Sequence, residues 1–254
     1  QYKTYDYAFI AGNAGRERLD RVLWDYNLDS RTFSIGRPQT DHLIGEPPFT
    51  PDERTVVFYA PTWEGDRPAA SYGSVSSHGE DLVRKLLGTG RHRVVYRPHP
   101  RSGVVDAEFG AANERIIAAL DEANRKDPSA QHVYDTSPSL GWQLSLPDVA
   151  ICDISAMVYD RLATGKPLMI TRPVAADAEV DEGGYLSVCE WLSADQTASI
   201  DEVLDGVIGD AAARERLVTW SKHYFGDTTQ GAPTQRFHDA IEVLIAKADE
   251  RLRG

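Results

Sequence analysis

"HRVVYRPHP" (residues 92–100) is a β-strand that stops abruptly. Val94, Val95 and Tyr96 are the β-branched and aromatic residues of a short buried strand. Pro98 and Pro100 end it, because each lacks a backbone N–H and fixes φ. Between the prolines sits an imidazole, His99, and just before them the guanidinium of Arg97. A stiff turn that presents both groups at the carboxyl end of a strand is either a ligand site or a surface turn with a solvated histidine. The rest of the chain decides which.

Similar runs recur on both sides of this one: "YDYAFIAG" (5–12), "TFSIGRP" (32–38), "RTVVFYAP" (54–61), "QHVYDT" (131–136), "PDVAICDIS" (147–155) and "KPLMIT" (166–171). Between them lie segments with helical periodicity, at 13–26, 78–88, 106–125, 155–164, 199–208 and 232–252. In "EFGAANERIIAALDEANRK" (108–126), Phe109, Ile116, Ile117 and Leu120 fall on one face with charges opposite. This alternation predicts an α/β fold built on a doubly wound, Rossmann-like parallel sheet with right-handed crossovers. Ligands of such sheets bind at the carboxyl ends of the strands, near the point where the strand order reverses. The chain is expected to be one domain over 1–254, with the helix at about 232–252 packing back on it or leading toward a further domain. Residues 62–77 read as a pocket-side loop and 175–184 as a solvated acidic loop.

Composition narrows the partners. The chain has 254 residues, 41% hydrophobic and 26% charged, as in an ordinary globular protein. A net charge of −12 argues against nucleic-acid binding and against adsorption to anionic lipid, and leaves room for a local basic pocket. The two cysteines, Cys152 and Cys189, lack CxxC spacing and read as reduced core thiols of a cytosolic protein. No apolar run is long enough to span a bilayer, and no signal peptide is visible. The start at "QYKTYDYAFIAG" suggests a segment cut from a longer polypeptide.

Two other strand ends carry polar residues. "FYAPTW" (58–63) brings Thr62 and Trp63 to a pocket edge, or is simply a turn with a packed tryptophan. In "ICDISAMVYDRLATGKP" (151–167), Asp153 ends a strand, and Ser155 and Ala156 open a helix. That start is ordinary capping chemistry, or an anion site made of free N–H groups and the helix dipole. Three such ends in one sheet favour function. The chain contains no GxxxxGK[ST], no GxGxxG after the first strand, no HExxH and no GxSxG. Its seven histidines are scattered, so neither a metal site nor a cofactor is expected. Transfer from a nucleotide-activated donor needs none of these motifs.

"YAPTW", "RPHP", "CDIS…VYDRLATGKP" and "GDTTQGAPTQRF" (226–237), in this order, resemble the CDP-glycerol glycerophosphotransferase family of teichoic acid primases and polymerases. "SIGRPQTD" (34–41) is similar to the family's Gly-x-Pro-Arg-x-Asp segment. The resemblance implies the C-terminal, donor-binding half of a GT-B glycosyltransferase. The donor would be CDP-glycerol, and a polymer or lipid-linked hydroxyl acceptor would be handled by another domain. The enzyme would be cytoplasmic and peripheral to the inner face of the membrane. His99 would contact the donor diphosphate and assist departure of CMP, with Arg97 adding charge. Ser155, with Ala156 beside it and Asp153 before it, would hold the diphosphate, and Asp160 would meet the ribose. Thr62 and Trp63 would edge the pocket, and Arg236 would open the last helix near another anion contact. Glu64 stands where many members have Arg, Ala156 where a second Ser is usual, and Gln39 where Arg is usual. Other CMP- or UDP-dependent GT-B enzymes, and a non-catalytic nucleotide-binding module, remain open readings.

Overall fold

A computed structural model describes residues 2–43, 45–181 and 183–253. In chain order the strands are β1 (Ala8–Ile10), β2 (Thr32–Ser34), β3 (Thr55–Ala60), β4 (His92–Tyr96), β5 (Val133–Tyr134), β6 (Val149–Cys152), β7 (Leu168–Thr171) and β8 (Glu190–Leu192). The helices are α1 (Asn13–Val22), α2 (Leu28–Arg31), α3 (Glu80–Gly88), α4 (Ala107–Lys126), α5 (Trp142–Ser145), α6 (Ala156–Leu162), α7 (Ile200–Gly209), α8 (Ala211–Phe225) and α9 (Ala232–Arg253). The sequence suggests one domain. By its internal contacts the chain divides into two compact units, one of residues 1–43, 163–165 and 217–254, the other of 44–162 and 166–216.

The larger unit holds a six-stranded, wholly parallel sheet in the order β5-β4-β3-β6-β7-β8. Counted within the sheet this is 3-2-1-4-5-6, the Rossmann order, so the direction of winding reverses between β3 and β6. Alternation puts Val57, Tyr59, Val94, Tyr96, Val149, Ile151 and Met169 on one face. There they form a single core with Leu82, Val83 and Leu86 of α3, Phe109, Ile116 and Leu120 of α4, and Ile200 and Leu204 of α7. Phe58, Val95, Ala150, Cys152, Leu168 and Ile170 on the other face are equally buried, and α6 packs along β6 and β7. Burial on both faces is why these strands read as continuous apolar runs. The buried Arg161 of α6 donates to the carbonyls of Leu144, Pro147 and Pro167, tying α5 and the starts of β6 and β7 together.

The register sets the site. Tyr59 pairs with Tyr96 and Ala60 with Cys152, so the chain leaves β3, β4 and β6 at nearly one level. Tyr59 and Tyr96 stack at 5.6 Å, the Tyr59 hydroxyl lies 2.5 Å from Ser74 Oγ, and Tyr96 donates to Asn113 at 2.7 Å. Gly79 is required beneath this cluster, since a Cβ there would strike the Tyr59 hydroxyl.

The smaller unit contains the parallel pair β1-β2, with Ile10, Leu19 and Leu28 as its core. Asp41 accepts from the N–H of Gly231 and both the N–H and hydroxyl of Thr234, capping α9. Cys152 and Cys189, in the larger unit, are both buried and form no disulfide.

Candidate active site

The Pro-His-Pro turn brings His99 onto Trp63, with ring centroids 6.2 Å apart and planes 25° from parallel. Arg101 completes the group. Its backbone N–H donates to His99 Nδ1 at 3.1 Å, and its guanidinium carbon lies 3.8 Å from the Trp63 ring centroid. A ring face attracts a cation at this range and fixes its plane. Arg101 is exposed and makes no ion pair among the described residues. With Nδ1 accepting, the neutral imidazole carries its proton on Nε2. Burial, then the Arg101 charge, lower the His99 pKa, while Glu64 opposes them, so the ring is neutral near pH 7.

Glu64 sits in a cradle of three amides. Its carboxylate accepts from Gly103 at 3.0 Å, Val105 at 2.7 Å and Asp106 at 3.1 Å. Burial raises its pKa, but backbone hydrogen bonds, from its own N–H first and then from these three amides, outweigh burial and hold the carboxyl below its usual range.

The crevice between β3 and β6 is filled by Asp153, which is fully buried. One of its oxygens accepts from the N–H groups of Thr62 at 2.8 Å and Ser74 at 3.0 Å, and the other from the Thr171 hydroxyl at 2.5 Å. Burial pushes its pKa up to about 6 despite those donors. Thr62 and Trp63 therefore join two strand ends, the N–H of one on Asp153 and the ring of the other on His99. Ser155 precedes α6 and accepts the Met157 N–H at 3.3 Å, so its hydroxyl acts as a cap. Ala156 is exposed at the first position of α6, and Asp160 is half-buried on its second turn.

Arg97 points elsewhere. Its guanidinium donates to buried Asp135 at 2.6 Å and to the Ser137 carbonyl at 2.8 Å, so most of its charge is spent inside the protein. Arg236 belongs to the smaller unit, where it donates to the carbonyls of Phe225 and Asp227. With Asn13, Ser34 and Lys222 it lines a cleft of about 150 Å³ there. Gly36 has a positive φ of 75°, and a Cβ there would collide with the Arg236 guanidinium. A cavity of about 310 Å³, lined by Glu64, Arg67, Ser71, Gly73 and Phe109, adjoins the His99 group. A wider one of about 510 Å³ lies at the amino end of β3, around Asp52, Arg54 and Arg91, and holds none of these residues. Among the described residues no cluster of three or more His, Cys, Asp or Glu side chains is arranged for a metal ion.

Sequence reading missed Arg101 and the place of Glu64. Arg101 is signalled only by standing two residues after His99 in "RPHPR". Nothing local links Glu64 to amides some 40 residues away.

A wholly parallel sheet in this order, with charged and aromatic side chains gathered at its carboxyl ends, places the chain in the class of doubly wound, Rossmann-like α/β folds, which take their ligands at that end. Solved structures similar to the chain bear the fold out. The wall teichoic acid polymerase TagF soaked with CDPG shares 16% identity at TM-score 0.56, over 99% of this chain and 59% of that one. The same polymerase after a shorter soak gives 17% and 0.59, over 97% and 58%. A protein from Listeria monocytogenes described as a UDP-N-acetylglucosamine 2-epimerase gives 15% and 0.61, over 97% and 61%. The chain thus spans about three fifths of these structures' length. No curated protein matches it by sequence. The pattern of the CDP-glycerol:poly(glycerophosphate) glycerophosphotransferase family matches residues 1–242, and the chain belongs to that family.

Proposed function

We propose that the larger unit binds the donor of a glycerophosphotransferase, CDP-glycerol, with its diphosphate against His99 and Arg101. The observation that carries this reading is the His99–Trp63–Arg101 stack, at the carboxyl end of the strand next to the reversal point. A neutral Nε2–H and an uncommitted guanidinium side by side suit the leaving phosphate, which needs charge neutralisation more than it needs a nucleophile. In the reaction an acceptor hydroxyl oxygen attacks the glycerol-bearing phosphorus. The bond from that phosphorus to the bridging oxygen breaks, and CMP departs with the electron pair. The hydroxyl proton goes to a base on the domain that handles the acceptor.

His99 donates to the departing phosphate, and Arg101 supplies the fixed charge sought in Arg97. Asp153 acts one step back, by holding Thr62 and the Ser74 turn in place. Ser155 and its neighbouring N–H groups address the diphosphate from the start of α6, Ala156 leaves that start open, and Asp160 meets the ribose. Arg236 serves an anion in the smaller unit. The acceptor is a polymer or lipid-linked hydroxyl of teichoic-acid-type synthesis, met at the inner face of the membrane. No helix among the described residues is long and apolar enough to cross one.

Titration calorimetry of this chain with CDP, UDP and GDP tests the donor, with CDP expected to bind tightest. Preference for UDP would move the reading to the UDP-sugar enzymes, and no binding of any of the three would end it. Turnover of CDP-glycerol by the full-length protein separates an enzyme from a nucleotide-binding module.

A further inference from the structure

We propose that Glu64 is a positioning residue: its carboxylate clamps the loop after β3 to the loop after β4, and so holds Trp63, His99 and Arg101 in one stack. The inference rests on the donor reading above for its effect on binding, and on geometry alone for the clamp.

Glu64 directly follows Trp63, so fixing its carboxylate restrains the backbone that carries the indole. The three amides it accepts from belong to Gly103, Val105 and Asp106, at 3.0, 2.7 and 3.1 Å. Only Pro100, Arg101 and Ser102 separate His99 from Gly103, and they are wound into a tight turn. The Ser102 N–H donates to the His99 carbonyl at 2.9 Å and the Val104 N–H to the Arg101 carbonyl at 3.1 Å. Holding Gly103 therefore holds His99 and Arg101.

The far side of the turn is equally constrained. Gly103 has φ +80°, and a Cβ there would collide with Gly110 of α4. Asp106 caps α4 by accepting from Glu108 and Phe109, so the cradle also lies at the positive end of a 20-residue helix.

The cradle is specific for a carboxylate. Three N–H donors converge, and only an acceptor-only group with two oxygens meets them all. A glutamine would turn an NH₂ toward at least one of them. An arginine would leave all three unpaired and set a second cation beside Arg101. The negative charge also favours protonated His99, partly offsetting Arg101.

The test uses Glu64→Ala and Glu64→Gln in this chain and in the full-length protein. In this chain, faster amide exchange is expected at Gly103, Val105 and Asp106. CDP and inorganic pyrophosphate should both bind about tenfold or more weakly, since charge-assisted contacts are lost. Formate, small enough to refill the cradle, should restore most of the pyrophosphate affinity to Glu64→Ala and leave the wild type unchanged. In the full-length protein kcat should fall more than KM rises.

Unchanged exchange at the three amides would overturn the clamp. Wild-type affinity in Glu64→Ala, or failure of formate to rescue, would overturn its role in binding. If the wild type binds neither CDP nor pyrophosphate, the donor reading falls, while amide exchange still decides the clamp. Should Glu64→Ala not fold, the same measurements on Glu64→Gln decide it, with an intermediate loss expected.

Discussion

At the scale of single residues, what matters is which charges are already spent. Arg97 lies in the motif and Arg101 outside it, yet Arg97 is paired with buried Asp135 while Arg101 is exposed over Trp63. Arg97→Gln should therefore act on the fold, costing about 3 kcal/mol, because it strips a partner from a buried carboxylate. Arg101→Gln should leave the melting temperature unchanged and weaken CDP about tenfold, as loss of a charge-assisted phosphate contact does. Calorimetry and thermal melts of both variants check this, and the reverse pattern would restore the charge role to Arg97. His99→Ala should abolish most transfer by the full-length enzyme with the fold intact, costing about 1.5–3 kcal/mol of phosphate contact. Near-normal turnover would leave His99 as a turn residue only.

Asp153 makes a separate residue-scale prediction through pH. Its folded pKa of about 6 exceeds the ordinary carboxylate value because the side chain is buried. The folded state thus binds the proton more tightly than the unfolded state. The extra stability is fully present below the unfolded value near 4, and is lost as pH rises through about 6. A shift of that size corresponds to about 2–3 kcal/mol. Asp153→Asn can keep the acceptor for Thr62 and Ser74 and turn its NH₂ to the Thr171 hydroxyl. It should fold, and should lack this pH dependence in urea melts at pH 4, 5, 6 and 7. A variant whose stability tracks pH as the wild type's does would refute the assignment.

At the scale of elements, legibility followed periodicity. The strands of the larger sheet were readable because both their faces are buried, and α4 because Phe109, Ile116 and Leu120 repeat at helical spacing. β8 was missed, since "EWL" is three residues long and begins with a charge. α8 was missed because its buried positions, Ala213, Leu217, Ser221 and Phe225, include one small and one polar residue, leaving almost no apolar stripe. The helix expected at 155–164 is shorter, Ala156–Leu162, which puts Ser155 before it as a cap and Asp160 within it. Five residues at roughly 100° each set the two about 140° apart, so they cannot meet one atom of a ligand. Ser155→Ala is expected to weaken CDP and inorganic pyrophosphate alike, and Asp160→Ala to weaken CDP while sparing pyrophosphate. Equal losses of both ligands in the Asp160 variant would remove it from the ribose.

At the scale of the whole molecule, the sequence indicated a parallel sheet but not its strand order. That order depends on contacts between segments as distant as β3 and β6, and only the folded chain reveals that winding reverses beside Asp153. The net charge of −12 makes binding of an anionic donor a local matter, because the molecule as a whole repels it. Two ways exist to hold a diphosphate against such a field: a divalent cation held by carboxylates, or fixed cations and N–H donors. In the function proposed above, His99, Arg101 and the start of α6 are of the second kind. We therefore expect CDP affinity in millimolar chelator to equal that in buffer, and added Mg²⁺ to change it less than about threefold. Calorimetry in the two conditions measures this directly. Binding that vanishes with chelator and returns with Mg²⁺ would mean that a cation bridges the donor to the protein, and that the His99–Arg101 pair is not sufficient to hold it.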